Sequence, residues 1–196
     1  MIVIIDAGHG IDTPGKRSPD GLFREYFWNR EIADKLLINL ISNGISAILL
    51  VTETNDVPLK TRVARVNRIC DRMGKQNVLL VSIHANAAGD GSRWMSAQGW
   101  SCYTSPGDTA SDRAAECMYD SFESRFRDRK IRKDMSDGDR DWEASFTLLT
   151  KTKCPAILLE NFFYDNQEEC RWLLRNETKD RIAMAATRGI INYFRI

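Results

Sequence analysis

The chain has 196 residues, 43% hydrophobic and 28% charged, and its 28 Lys plus Arg against 27 Asp plus Glu leave a net charge of +1. That balance is ordinary for a globular protein and excludes a disordered chain, a collagen and a coiled coil. The near-zero charge provides no global field toward nucleic acid or an anionic membrane, and the length predicts one domain over residues 1–196.

Ile2 to Ile5 is a short β-branched run closed by Asp6-Ala7-Gly8, the pattern of a buried strand ending in a loop. From Tyr26 to Asn43, the residues Phe27, Ile32, Ala33, Leu36, Leu37, Leu40 and Ile41 recur at helical spacing, and Gly44 stops the run. Ile45 to Thr52 reads as a second strand. Leu59 to Met73 reads as a helix with Val63, Val66, Ile69 and Cys70 on one face, and Val78 to Ile83 as a third, buried strand. This β-α-β-α-β alternation predicts an α/β fold with a largely parallel sheet covered by helices. The middle is less periodic. Ala97 to Tyr103 suggests a strand and Thr109 to Arg127 a helix, while a basic run (Arg125 to Lys133) followed by an acidic one (Asp134 to Glu143) suggests a solvated loop. Ala156 to Leu159 is a strongly apolar strand after Pro155, and Glu177 to Phe194 is a helix carrying Ile182, Ala185, Ala186, Ile190 and Phe194.

Five cysteines (Cys70, Cys102, Cys117, Cys154 and Cys170) form no C-x-x-C pair, so buried free thiols are expected rather than a disulfide framework or a zinc knuckle. No apolar run approaches the ~20 residues of a spanning helix. The start, Met1 to Asp6, has no basic segment, and its apolar stretch is too short for a signal peptide. The expectation is a protein made in the cytoplasm, or the mature form of an exported one, with no membrane insertion.

Only two histidines occur, His9 and His84, and each stands at or just beyond the end of a predicted strand. In an open parallel α/β sheet, sites form outside the carboxyl ends of the strands, so imidazoles distant in sequence can meet there. Glu160 ends the apolar run Ala156 to Leu159 at the same edge, where a carboxylate is costly unless paired, hydrogen-bonded or beside a cation. Glu25 opens the first long helix, a position the helix dipole alone would favour. Two imidazoles and a carboxylate are the donor set of a catalytic zinc site, and a second carboxylate off the metal can carry a proton from water to a leaving amine. His9, Glu25, His84 and Glu160 supply both parts between them. There is no H-E-x-x-H, so the helical metalloprotease arrangement is excluded. Gly8-His9-Gly10 lacks the rest of a phosphate loop, no G-x-S-x-G marks a serine hydrolase, and nothing marks Cys102 or Cys154 as a reactive partner of His84.

With these residues in place, the chain resembles the zinc-dependent N-acetylmuramoyl-L-alanine amidases of the type called amidase 3. The resemblance runs nearly end to end. Its marks are Val3-Ile-Ile-Asp6-Ala-Gly-His9-Gly10, then Glu25 with Asn29, then Leu59 with Arg62 and Asn67, then Ser82-Ile-His84-Ala-Asn86. Gly99 before a strand follows, and Pro155-Ala-Ile-Leu-Leu-Glu160 with Phe163 and Asn166 closes the series. The resemblance implies an α/β fold with one mixed sheet flanked by helices. It implies one zinc ion per chain held by His9, Glu25 and His84, with Glu160 as the catalytic carboxylate. It implies hydrolysis of the amide between N-acetylmuramic acid and L-alanine in peptidoglycan, the expected partner, at the cell wall or in the periplasm. Three residues depart from the family pattern: Ile11 stands where a second glycine is frequent, Glu53 where an arginine is common, and Phe162 where a glycine is common. A stand-alone catalytic domain suits a phage-type lysin or a compact bacterial wall enzyme.

Around this site, Asp6 and Asn86 are candidate acceptors for imidazole N–H groups, and Asn29, one turn beyond Glu25, is a candidate to steady its carboxylate. Trp94, Trp100 and Trp142 lie in the variable middle, where rings either pack in the core or stack on sugars, and a helical lid is conceivable between Trp94 and Trp142. The alternatives are a zinc peptidase cutting within the stem peptide and an inactive wall-binding module. Nucleic-acid binding through Arg125 to Lys133 ranks below both.

Overall fold

The structure, a computed structural model, describes residues 1–194, and in it the apolar runs become one six-stranded sheet. Strand β1 (Ile2–Ala7) lies between β2 (Ser46–Leu49) and β3 (Val78–Asn86) and is parallel to both. Strand β3 pairs in turn with β6 (Ala156–Phe163), again in parallel. Strand β4 (Ser101–Thr104) runs antiparallel to β6 and carries the two-residue β5 (Trp142–Glu143) at the edge. The spatial order is therefore β2-β1-β3-β6-β4-β5, a parallel sheet with one antiparallel joint. Helices α1 (Glu25–Ser42), α3 (Asp112–Arg125) and α6 (Asn176–Phe194) pack together against one face. Helices α2 (Leu59–Met73) and α4 (Thr147–Lys151) cover the other, and α5 (Gln167–Leu173) joins β6 to α6. With both faces covered, Val3, Ile4, Ile5, Leu79, Leu80 and Val81 are fully buried, which is why β1 and β3 read as unbroken apolar runs. No helix among the described residues is long and apolar enough to cross a membrane.

The carboxyl ends of β1 and β3 are tied together by a buried polar knot. Arg62 of α2 is 2% exposed and donates to Asp6 Oδ1 (2.7 Å), Ala7 O (2.9 Å), Val57 O (2.8 Å) and Asp56 Oδ1 (2.7 Å). Ser82 Oγ donates to the other Asp6 oxygen at 2.7 Å. A buried ion pair is tolerated only when its remaining donors and acceptors are met, and here they are. Asp6 is thus the counter-ion of Arg62, not the partner of an imidazole.

Several expectations change at the element scale. The third strand runs to Asn86 and the last to Phe163, so His84 and Glu160 lie inside strands rather than after them. Strand β2 is shorter than the expected Ile45 to Thr52, and β5, α4 and α5 were not expected at all. The helix expected at Thr109 to Arg127 is α3, and it packs against α6 rather than forming a lid. The charged middle is only partly a solvated loop. Arg140 meets Glu116 (2.5 Å), Asp120 (2.7 Å) and Glu123 (3.1 Å) on α3, while Arg129 pairs with Glu168 at 2.8 Å and lies over the Trp172 ring. Trp100 is fully buried and stacked on Phe122 at 4.0 Å, a core residue and not a sugar platform. All five cysteines are free thiols, four of them buried and Cys117 partly so.

Candidate metal centre

Beyond β1 the chain turns sharply through Gly8-His9-Gly10. The Gly8 N–H donates to Ile83 O at 3.0 Å, which keeps the turn against β3. A Cβ on Gly8 would lie 2.1 Å from His84 Cε1, and one on Gly10 would lie 2.0 Å from the Asp56 backbone nitrogen, so neither position has room for a side chain. His9 itself adopts φ 65, a left-handed conformation that is uncommon outside glycine and concentrated at functional sites. Two side chains of α1 hold the turn: Asn29 Nδ2 donates to Gly8 O (3.2 Å) and Arg30 Nη1 to His9 O (3.0 Å). Asn29 therefore positions the histidine loop rather than the Glu25 carboxylate. Asn86 caps its own chain, accepting from the Ala87 N–H at 2.9 Å, and meets no imidazole.

Glu25, in the first turn of α1, is 1% exposed. Its Oε1 lies 3.1 Å from His84 Nδ1 and 3.4 Å from His9 Nε2, and accepts the Ala85 N–H at 3.3 Å. Lys16 Nζ stands 3.8 Å from Oε2. The two imidazoles are perpendicular, with centroids 4.9 Å apart. One ligand atom from each of His9, Glu25 and His84 lies within 4.8 Å of the others, close enough for the three to hold a metal ion together. Burial alone would push the Glu25 carboxyl up, but hydrogen bonds and charge from His84 and His9 overcome it and hold the group well below the usual carboxylate range. His84 shows the reciprocal effect: burial pulls its imidazole down, and the Glu25 hydrogen bond and charge raise it above its ordinary value. His9 Nε2 and Glu25 Oε2 are buried without a hydrogen-bond partner, which suits atoms that face a cation.

Glu160 is paired directly with His84 across β3 and β6, so both side chains emerge on the same face at the same edge. Its Oε2 is buried and lacks a partner. Burial pushes the carboxyl up to about 7, with the nearby Glu25 charge adding to the rise and His84, Lys16 and Arg132 opposing it. A cleft of about 310 Å³ opens here, lined by Lys16, Glu25, Asn86, Glu160 and Tyr164 among others. A larger hollow of about 610 Å³ lies at the opposite end of the sheet, near Lys75, Thr109, Thr152 and Tyr193, far from any metal-binding cluster among the described residues.

Residues 3–192 match the family described as N-acetylmuramoyl-L-alanine amidase. The chain belongs to this family. The amidase family match is accompanied by a 25% identity over 202 residues to the N-acetylmuramoyl-L-alanine amidase LytC of Bacillus subtilis (strain 168), covering 98% of this chain and 35% of that protein. An endolysin of Bacillus phage SPP1 is 27% identical over 199 residues, covering 96% of this chain and 64% of the endolysin. The chain thus spans less than two thirds of the length of either relative. Among solved structures, an N-acetylmuramoyl-L-alanine amidase from Clostridium difficile 630 superposes with a TM-score of 0.83 at 25% identity, covering 98% of this chain and 95% of that one.

The three residues expected to depart from the family pattern each have a definite structural setting. Phe162 has φ 63, the left-handed backbone that a glycine fits without strain, and the phenylalanine is retained in a ring cluster with Trp172 (4.8 Å) and Phe126 (5.6 Å). Glu53 is held by Arg65 at 2.5 Å, so the charge pattern of that loop is reversed without leaving an unpaired group. Ile11 has no left-handed backbone and is exposed, so its side chain extends into solvent. Sequence reasoning missed Lys16 and Tyr164 in the cleft, because neither lies in an apolar run or a motif.

Proposed function

We propose that this chain hydrolyses the amide between N-acetylmuramic acid and L-alanine in peptidoglycan, using one zinc ion held by His9, Glu25 and His84 and Glu160 as the catalytic carboxylate. The observation that carries the proposal is the convergence of that His-Glu-His triad beside Glu160, in a chain of the amidase family. The donor set fits zinc. Ligand bonds of about 2.0–2.1 Å in a tetrahedral site put neighbouring ligand atoms about 3.3 Å apart. The contacts of Glu25 Oε1 with His84 Nδ1 and His9 Nε2 are 3.1 and 3.4 Å. When bound, zinc supplies Lewis acidity for a scissile carbonyl and activates water near neutral pH.

The chain's own residues do the remaining work. Asn29, Arg30 and Gly8 hold the His9 turn, and the Arg62–Asp6–Ser82 knot fixes β1 against β3 beneath both imidazoles. The ionised Glu160 takes a proton from the attacking water and returns it to the departing alanine nitrogen, so one carboxylate serves as base and then as acid. The reading places the protein's action at the cell wall.

Digestion of purified peptidoglycan with metal-loaded protein, followed by mass analysis of the released fragments, tests this. Free stem peptides beginning with L-alanine are expected, and Glu160→Gln should lower their release by about 10²–10⁴-fold while metal content stays unchanged. Cuts inside the stem would make the protein a zinc peptidase. Wall binding with no release would make it a binding module, and near-normal turnover by Glu160→Gln would remove Glu160 from its role.

A further inference from the structure

The face that carries His84 and Glu160 continues across β4. Glu160 is paired with Ser101, and two residues further Tyr103 is paired with Trp142, so these side chains share one face of the sheet. Arg132 lies over this row. Its guanidinium carbon is 5.2 Å from the Trp142 ring centre and 5.1 Å from that of Phe163. The Arg132 backbone is fixed, since its N–H donates to Trp100 O (2.8 Å) and its carbonyl accepts the Tyr119 hydroxyl (3.0 Å).

Of the neighbouring cations, Arg129 pairs with Glu168, Lys133 with Glu123, and Arg140 with Glu116, Asp120 and Glu123, while Lys130 is exposed. The Arg132 guanidinium makes no hydrogen bond or ion pair among the described residues, and it is partly exposed. The Nε1 of Trp142 is buried and also lacks a partner. Phe163 is paired with Asn86, which lines the cleft, so Arg132 stands over the residue next to the cleft wall. A planar guanidinium between two aromatic faces, with its donors unused, is organised to meet a planar anion.

We propose that Arg132 binds a free carboxylate of the stem peptide on the leaving-group side of the scissile amide, and so makes the protein prefer stems that carry that carboxylate over amidated ones. The inference rests on the amidase reading. Glu160 has to reach the leaving nitrogen, so the departing peptide lies on the β6 side of the triad. Strand β4 and Arg132 lie further along that same side. Once the lactyl group is in the amide, a glycan of N-acetylated sugars has no carboxylate to offer, whereas the stem peptide has.

Calorimetric binding of synthetic L-Ala-γ-D-Glu-L-Lys and of its fully amidated form to the metal-loaded protein tests this without turnover. The wild type should bind the free acid about tenfold more tightly than the amide, the gain of one charge-assisted bidentate pair. Arg132→Gln should bind both peptides as the wild type binds the amide. Arg132→Lys, which keeps the charge but not the stacked planar fork, should retain only part of the preference, and this variant decides the matter if Arg132→Gln does not fold. In turnover of matched muropeptides the change should fall on KM. Equal binding of both peptides by the wild type, or an undiminished preference in either variant, would overturn the proposal. Failure of the amidase reading would show separately, as no release of L-alanyl peptides from peptidoglycan.

Discussion

At Gly8 a single hydrogen decides whether the triad can assemble. Any Cβ there would sit 2.1 Å from the His84 ring, and Gly8 is not in a left-handed conformation, so steric contact with the ring is the whole of the problem. Gly8→Ala should therefore displace the His84 imidazole while leaving the β1–β3 ladder paired. The expected result is a metal affinity lower by roughly 10–100-fold, the range found when the support of a ligand is disturbed. Metal content after equilibrium dialysis, read beside a thermal melt of the chelated protein, would show it. Full metal retention would mean that the ring is free to move and that Gly8 is not what sets its place. At this scale the candidate ligands stood out because histidine is rare in the chain and both copies follow apolar runs. Their supports were not, because Asn29 reaches Gly8 and Arg62 reaches Asp6 across long stretches of sequence that no local pattern records.

Strand β6 shows how a site is written into an element at a cost to its regularity. Its apolar run stops at Leu159, yet the strand continues through Glu160 and Asn161 to Phe163, because the pairing with β3 carries on, with a register shift between His84 and Asn86. Period and composition could not show that continuation, since polar residues inside a buried strand look like its end. The same limit hid β5, α4 and α5, which are two, five and seven residues long, too short for a period to repeat. Helices α1, α2 and α6 and strands β1 and β3 are longer and were legible for that reason. Phe162 in β6 sets two opposed effects against each other. A left-handed backbone costs about 1–2 kcal/mol for a side chain other than glycine, and emptying a fully buried phenylalanine site costs about 3–5 kcal/mol. Phe162→Gly should therefore lose about 1–4 kcal/mol net in urea unfolding. Equal or higher stability would show that the strain outweighs the ring cluster.

Over the whole molecule, charge is close to balance, but it is unevenly placed, and the acidic run between α3 and β5 gathers carboxylates whose charges oppose one another's ionisation. Asp141 is 1% exposed, and its Oδ2 accepts the Thr104 hydroxyl at 2.5 Å. Its Oδ1 and that of Asp139 are both buried without a hydrogen-bond partner, and the Asp139 charge opposes ionisation of Asp141. Burial, with the charges of Asp139 and Asp112 adding to it and the Thr104 hydrogen bond opposing it, pushes Asp141 up to about 7. The sign of the stability effect follows. A carboxyl whose folded pKa is raised favours the fold while it is protonated, so its contribution is complete below the unfolded pKa of about 3.9 and is lost as pH rises through about 7. Asp141→Asn keeps an acceptor for Thr104 and supplies a permanent N–H toward Asp139. It should therefore gain stability over the wild type between pH 5 and pH 8, by roughly 2 kcal/mol. Urea unfolding of both proteins at the two pH values measures the difference. A gap that does not change with pH would mean that Asp141 is already ionised in the fold.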